Sequence, residues 1–137
     1  MTAAPLLDTH AWVWWIHRDD RVREAIIAEL DSLPVDNRPY VSDISLWEVA
    51  MLTARGRVGL TPPPAEWLEA ASHPRVVRVV AISAAIAAET ARLAGSALRD
   101  PADRIIVATS RILGVPLLTW DRAILRSRLT KRWKPES

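Results

Sequence analysis

The chain has 137 residues, of which 50% are hydrophobic and 25% charged. That is the balance of a globular protein with enough length for a core of its own. No apolar run nears the ~18 residues that a membrane span needs. Zero cysteines exclude disulfides, thiolate metal sites and a cysteine nucleophile. The opening MTAAPLLDTH carries no Lys or Arg ahead of its apolar stretch, unlike a secretory signal. One domain over residues 1–137, a cytoplasmic location and no membrane association are therefore expected.

Pro5 to Asp8 reads as a first strand and Thr9 to Ile16 as a short helix. Asp19 is placed to cap a longer helix running to about Leu33. Tyr40 to Val41 is a brief second strand. Ser42 then caps a helix that holds Glu48, and Gly56 ends it. The run PPPAEWLEAA, residues 62–71, starts another helix, with proline suited to its first turn. Val76 to Ile82 is β-branched and continuous, the pattern of a buried strand. Ser83 to Leu93 is a helix stopped by Gly95, and Pro101 to Leu113 a helix stopped by Gly114. Pro116 to Thr119 is a strand, and a last helix begins at Asp121, with room for a short edge strand near Leu129 to Trp133. Strands alternating with helices imply right-handed crossovers and an α/β fold with a parallel sheet covered on both faces. Ligands of such sheets bind beyond the carboxyl ends of the strands.

Four carboxylates fall at or near those ends. Asp8 closes the first strand, and Asp121 follows the LLT strand by two residues. Asp103 sits in the first turn of the DPADRIIVATS helix. Glu48 shares a helix face with Ile44, Trp47, Met51 and Leu52, so that helix aims a carboxylate into its own apolar stripe. Taken singly, Asp8 and Asp121 could be helix caps, Asp103 could serve the helix dipole, and Glu48 could be half of a buried ion pair. Taken together, uncompensated inward carboxylates must be paired, protonated or bound to metal. Few cations are near in sequence. Arg104 follows Asp103 but points about 100° away around the helix. A hard divalent cation, Mg2+ or Mn2+, answers the need, because it takes oxygen ligands and keeps several waters. Acids around such an ion suit phosphodiester hydrolysis by an activated water.

In their order along the chain, LLDTHAWVW, ISLWEVAML, DPADRIIVATS and LLTWD resemble the PIN-domain family, and within it the VapC-type toxins of bacterial toxin–antitoxin pairs. The resemblance runs from about Leu6 to Asp121. It implies a three-layer α/β/α sandwich around a parallel sheet and an endoribonuclease dependent on Mg2+ or Mn2+. It also implies cleavage of structured RNA, tRNA or rRNA, and silencing by a cognate antitoxin protein. Homodimerisation is expected on the same ground. The family's acidic quartet maps onto Asp8, Glu48, Asp103 and Asp121, and Thr119 matches a supporting hydroxyl. In this scheme Asp8 and Asp103 are direct ligands. Glu48 binds metal or orients water, and Asp121 completes the site directly or through water. Asp100 is read as the N-cap of its helix, with Pro101 in the first helical position. His10 is read as structural, since no second histidine stands at ligand spacing.

Other features leave alternatives open. Three tryptophans on so short a helix, Trp12, Trp14 and Trp15, cannot all face one core; they fit either partial exposure or a groove for an antitoxin helix or a second copy. Arg122, Arg126, Arg128, Lys131, Arg132 and Lys134 outnumber the single acid Glu136 in the tail. That tail is either a solvated terminal helix or a footprint for a phosphate backbone. Arg104, Arg122 and Arg126 are the candidate RNA contacts. A phosphoacceptor receiver domain would need an Asp after the third strand, where Ser83 stands. A dehalogenase-type phosphatase would need Asp-x-Asp, where Asp8-Thr9-His10 stands. The four glycines never form a phosphate-binding loop. A PIN-like module that binds RNA or protein without cutting, and a nuclease of RNA processing outside any toxin system, are the standing alternatives.

Overall fold

The computed structural model describes residues 3–60 and 63–135. Pro62 of the proline run and Glu136 of the tail lie outside those residues. In chain order the elements are β1 (Leu6–Leu7), α1 (Thr9–Ile16), α2 (Glu24–Ser32), β2 (Tyr40–Ser42), α3 (Asp43–Ala54), α4 (Pro64–Ala71), β3 (Arg78–Val80), α5 (Ala84–Arg92), α6 (Pro101–Leu113), β4 (Leu117–Leu118) and α7 (Arg122–Ser127). The four strands form one parallel sheet in the order β3-β2-β1-β4.

The sheet separates two apolar clusters, and strand alternation decides which residue joins which. Leu6 pairs with Tyr40 and Leu117, while Leu7 pairs with Val41 and Leu118. Leu6 and Leu117 pack with Ile86, Ile106 and Ile124 from α5, α6 and α7. Leu7, Val41 and Leu118 pack on the opposite face with residues of α1 to α4, among them Trp12, Leu30, Val49 and Trp67. Successive side chains point to opposite faces of a strand, so even a two-residue strand serves both layers. This is the expected three-layer α/β/α sandwich. Among the described residues no helix is long and apolar enough to cross a membrane.

Helix ends follow local chemistry. The Asp8 carboxylate accepts from Ala11 N–H, the Ser42 hydroxyl from Ile44 N–H, and Asp100 from Ala102 N–H, each satisfying a donor that the first turn leaves unpaired. Gly114 stops α6 at φ +68°, a left-handed conformation that glycine adopts without a Cβ clash, and this turn feeds β4 into the sheet.

Four expectations need correction. Asp19 does not start the second helix. Its carboxylate accepts from Arg21 N–H in a local turn, and the helix begins only at Glu24. The Val76 to Ile82 run is not a buried strand, because the strand order leaves β3 at the sheet edge. Only Arg78–Val80 pairs, and Val79 and Ile82 are 41% and 42% exposed. On α3 the buried line is Ser45 and Val49, whereas Trp47 is 56% exposed. Glu48 therefore stands at the margin of the buried face. Finally, the edge strand near Leu129 to Trp133 shrinks to one parallel bridge. Leu117 N–H donates to Lys131 C=O, and Trp133 N–H donates to Leu117 C=O, each at 2.8 Å.

Candidate active site

β1 and β4 are adjacent and parallel, so the residues that follow them, Asp8 and Asp121, emerge at the same sheet end. α6 runs back toward the start of β4, which brings its N-terminus and Asp103 to that end as well. α3 leaves β2 there too and carries Glu48. The result is a cleft of about 290 Å³ into which Asp8, Glu48, Asp100, Asp103 and Asp121 all open. Four of these are the acids singled out from the sequence. Asp100, expected as a cap, is one, and it also faces the cleft.

Each acid is held in place. Asp8 is 7% exposed; one carboxylate oxygen takes Ala11 N–H at 2.8 Å and the other takes the hydroxyl of Thr119. A carboxylate oxygen has two lone pairs, so both keep one for a further ligand. The Thr119 hydroxyl also accepts from Asp121 N–H at 3.0 Å, tying β1 and β4 together through one side chain. Asp121, itself exposed, accepts from Ile124 N–H at 2.9 Å and so caps α7. Glu48 has no arginine. It accepts from Thr9, whose hydroxyl lies 2.9 Å from that of buried Ser45. Residue types alone gave no hint of Thr9. Ser45, three residues before Glu48 and on the same helix face, was readable from spacing.

The cleft holds negative charge at a cost. Burial pushes Asp103 up to about 7, and Asp100, Asp121, Glu48 and Asp8 add repulsion in the same direction. Burial pushes Asp8 up to about 6, against the lowering effect of the Thr119 hydroxyl and Ala11 N–H. Glu48 is raised by burial too, opposed by Thr9. The ion pairs among the described residues join Arg18 to Asp31, Arg21 to Asp19, and both Arg92 and Arg111 to Glu89. None reaches the cleft acids. Nor do three or more of these side chains close into a ready coordination shell among the described residues. The acids share a cleft and one another's fields, and carboxylates with no cation between them repel. By donor chemistry, an all-oxygen, net-negative set with free lone pairs fits a hard divalent ion.

The other named residues fall as follows. Arg104 donates from Nε to the Leu98 carbonyl at 2.5 Å, which fixes the loop before α6. Arg122 and Arg126 are exposed on α7. His10, read as structural from the sequence, is exposed and lines the cleft, its ring 5.6 Å from that of Trp14. Trp12 and Trp15 are core residues, donating to Ala71 C=O and Asp31, so a docking groove built on them is excluded. Trp14 and Trp120 line the cleft. Trp120 was overlooked in the sequence, although its place between strand and Asp121 was the available signal.

The PIN domain family matches residues 6–128. The chain belongs to the PIN-domain family. It is 36% identical over 124 residues to Ribonuclease VapC22 of Mycobacterium tuberculosis, a span covering 90% of this chain and 91% of that one. Its fold is similar to that of FitAcB from Neisseria gonorrhoeae, with a TM-score of 0.69, 24% identity, and 95% and 96% of the two chains covered. A toxin–antitoxin complex from Klebsiella pneumoniae matches with a TM-score of 0.57 at 20% identity, covering 86% of this chain and 87% of that one. The PIN-domain resemblance seen in the four sequence stretches is borne out at the level of family and fold.

Proposed function

We propose that this chain is a divalent-metal-dependent endoribonuclease and the toxin of a toxin–antitoxin pair, acting in the cytoplasm on structured RNA such as tRNA or rRNA. One observation carries the reading: five carboxylates open into a single cleft, and among the described residues no salt bridge reaches any of them. The likeness to a relative named as a ribonuclease supports the choice of RNA, and the fold shared with a toxin–antitoxin complex supports the setting.

Asp8, Glu48, Asp103 and Asp121 would hold Mg2+ or Mn2+. When bound, such an ion lowers the pKa of a water and stabilises charge on the attacked phosphate. The chain's own residues prepare for this. Thr119 and Ala11 fix both oxygens of Asp8. Asp100 caps α6 and so sets the height of Asp103. Thr9 and Ser45 orient Glu48, the residue best placed to align the attacking water or join the ion. Asp121 also lines the cleft, and Arg122 and Arg126 on α7 are available to the phosphate backbone. A cognate antitoxin and a second copy of the chain are the expected protein partners.

The test is purified protein with total bacterial RNA in Mg2+, in Mn2+ and in EDTA, beside Asp8→Asn. Discrete cuts that need metal and vanish in the variant are expected. RNA that binds yet stays whole under every metal would overturn the reading in favour of a binding module.

A further inference from the structure

The tryptophans divide by environment. Trp12, Trp15, Trp67 and Trp133 are buried at 0%, 3%, 2% and 4% exposure, while Trp14 and Trp120 are half-buried. Buried Trp12, Trp15 and Trp67 each donate an indole N–H within the chain. Trp14 and Trp120 make no such bond among the described residues. Their ring centroids are 5.5 Å apart at 41°, His10 stands 5.6 Å from Trp14 at 56°, and the Arg21 guanidinium lies 4.9 Å over the Trp14 ring. Arg21 is exposed, and besides the Trp14 ring its guanidinium makes only a loose 3.8 Å surface pair with Asp19 among the described residues. Trp14, Trp120 and His10 line the same cleft as the acids. An aromatic wall beside a carboxylate floor is a poor arrangement for a small anion. It is a good one for a nucleotide, whose base is flat and whose phosphate needs a metal.

We propose that Trp14 and Trp120, flanked by His10 and Arg21, form a stacking platform for one unpaired nucleobase next to the phosphate held at the acids. This rests on the nuclease reading above. Every base has a π-face, so indole stacking tolerates sequence but demands that the base be free of its helix. The platform thus selects loops, bulges and single-stranded ends, and it rejects a continuous duplex whose bases are stacked on one another. Arg21, over the Trp14 ring, adds a cation and a planar guanidinium behind the aromatic wall of a cleft whose floor is acidic.

The test measures binding rather than cutting. The probe is a fluorescein-labelled stem-loop RNA with a randomised unpaired loop, beside the same stem carrying a loop of abasic ribose-phosphate units. Anisotropy is read in Mg2+ with Asp103→Asn as the parent, to keep the RNA whole. Trp14→Leu and Trp120→Leu should each weaken binding of the intact loop by roughly 5- to 100-fold. Neither should change binding of the abasic loop, and Trp14→Tyr and Trp120→Tyr should recover most of the loss. Circular dichroism spectra matching the parent's confirm that the leucine variants fold. Folded leucine variants that bind the intact loop as the parent does would overturn the platform, while metal-dependent cleavage by the native protein would leave the nuclease standing. The platform is equally overturned if those variants keep RNA binding and lose only capture of the cognate antitoxin. A native protein that neither binds nor cuts the stem-loop, or total RNA, would overturn both.

Discussion

The two ends of α6 solve the same electrostatic problem in opposite ways. Near its C-terminal end, buried Glu89 of α5 receives Arg111 at 2.5 Å and Arg92 at 2.6 Å, and the guanidinium of Arg111 holds its carboxyl below the usual range. At the N-terminal end, Asp103 shares its cleft with four further carboxylates and, among the described residues, has no arginine or lysine paired with it; burial pushes its carboxyl up to about 7. A fold able to place two arginines around one acid places none around five. The difference sets Glu89 apart as part of the scaffold, and it is what the proposed metal-binding role of the cleft would account for.

The comparison breaks most sharply by substitution. Asp103→Asn and Asp8→Asn should each lower RNA cleavage by at least about 100-fold, the upper range for disturbing a metal's surroundings. Both should leave the melting temperature in EDTA unchanged or higher, because each removes a repelled charge. Gel cleavage assays and thermal melts on one preparation check both halves. Thr119→Val deletes the hydroxyl that fixes Asp8 and Asp121 and should weaken Mg2+ activation about 10- to 100-fold, read as a shift in the metal titration of activity. Thr119→Ser should restore it. Glu89→Gln should do the reverse of the cleft variants. It lowers the melting temperature by leaving two guanidiniums with a poorer acceptor, yet retains metal-dependent cleavage.

The smallest expected effect is a pH trend. Asp8 and Asp103 move up from 3.8, to about 6 and about 7, on folding. The native state therefore binds protons more tightly than the unfolded chain, and stability falls as pH rises through this window. In EDTA the protein should melt at a higher temperature near pH 5 than near pH 8, and Asp103→Asn should flatten the slope. A metal-free melting temperature that rises across the same range would contradict the picture of a repulsive cleft.

Sequence reasoning reached the elements whose boundaries are local. α1 and α6 begin and end where expected because Asp8, Asp100, Pro101 and Gly114 carry the capping chemistry themselves. It failed where tertiary order decides. Nothing in VVRVVAI says that β3 would be an edge strand, and the helical spacing of Trp47 could not reveal which flank of α3 the sheet would cover. The acids were legible because parallel-sheet topology gathers whatever follows the strands at one end. The Thr9–Ser45–Glu48 chain and the Trp14–Trp120 pair were not, since each joins elements whose approach is set by packing.

The Thr119 hydroxyl that steadies Asp8 lies 111 residues further along the chain. β1, although first in sequence, is an interior strand whose second neighbour, β4, is the last strand to be made. A growing polypeptide therefore carries Asp8 through 111 further residues before it gains Thr119, and β4, one of the sheet's four strands, arrives only then. The cleft can close only once Thr119 and Asp121 have been made, so the order of synthesis itself delays the moment at which the site is assembled.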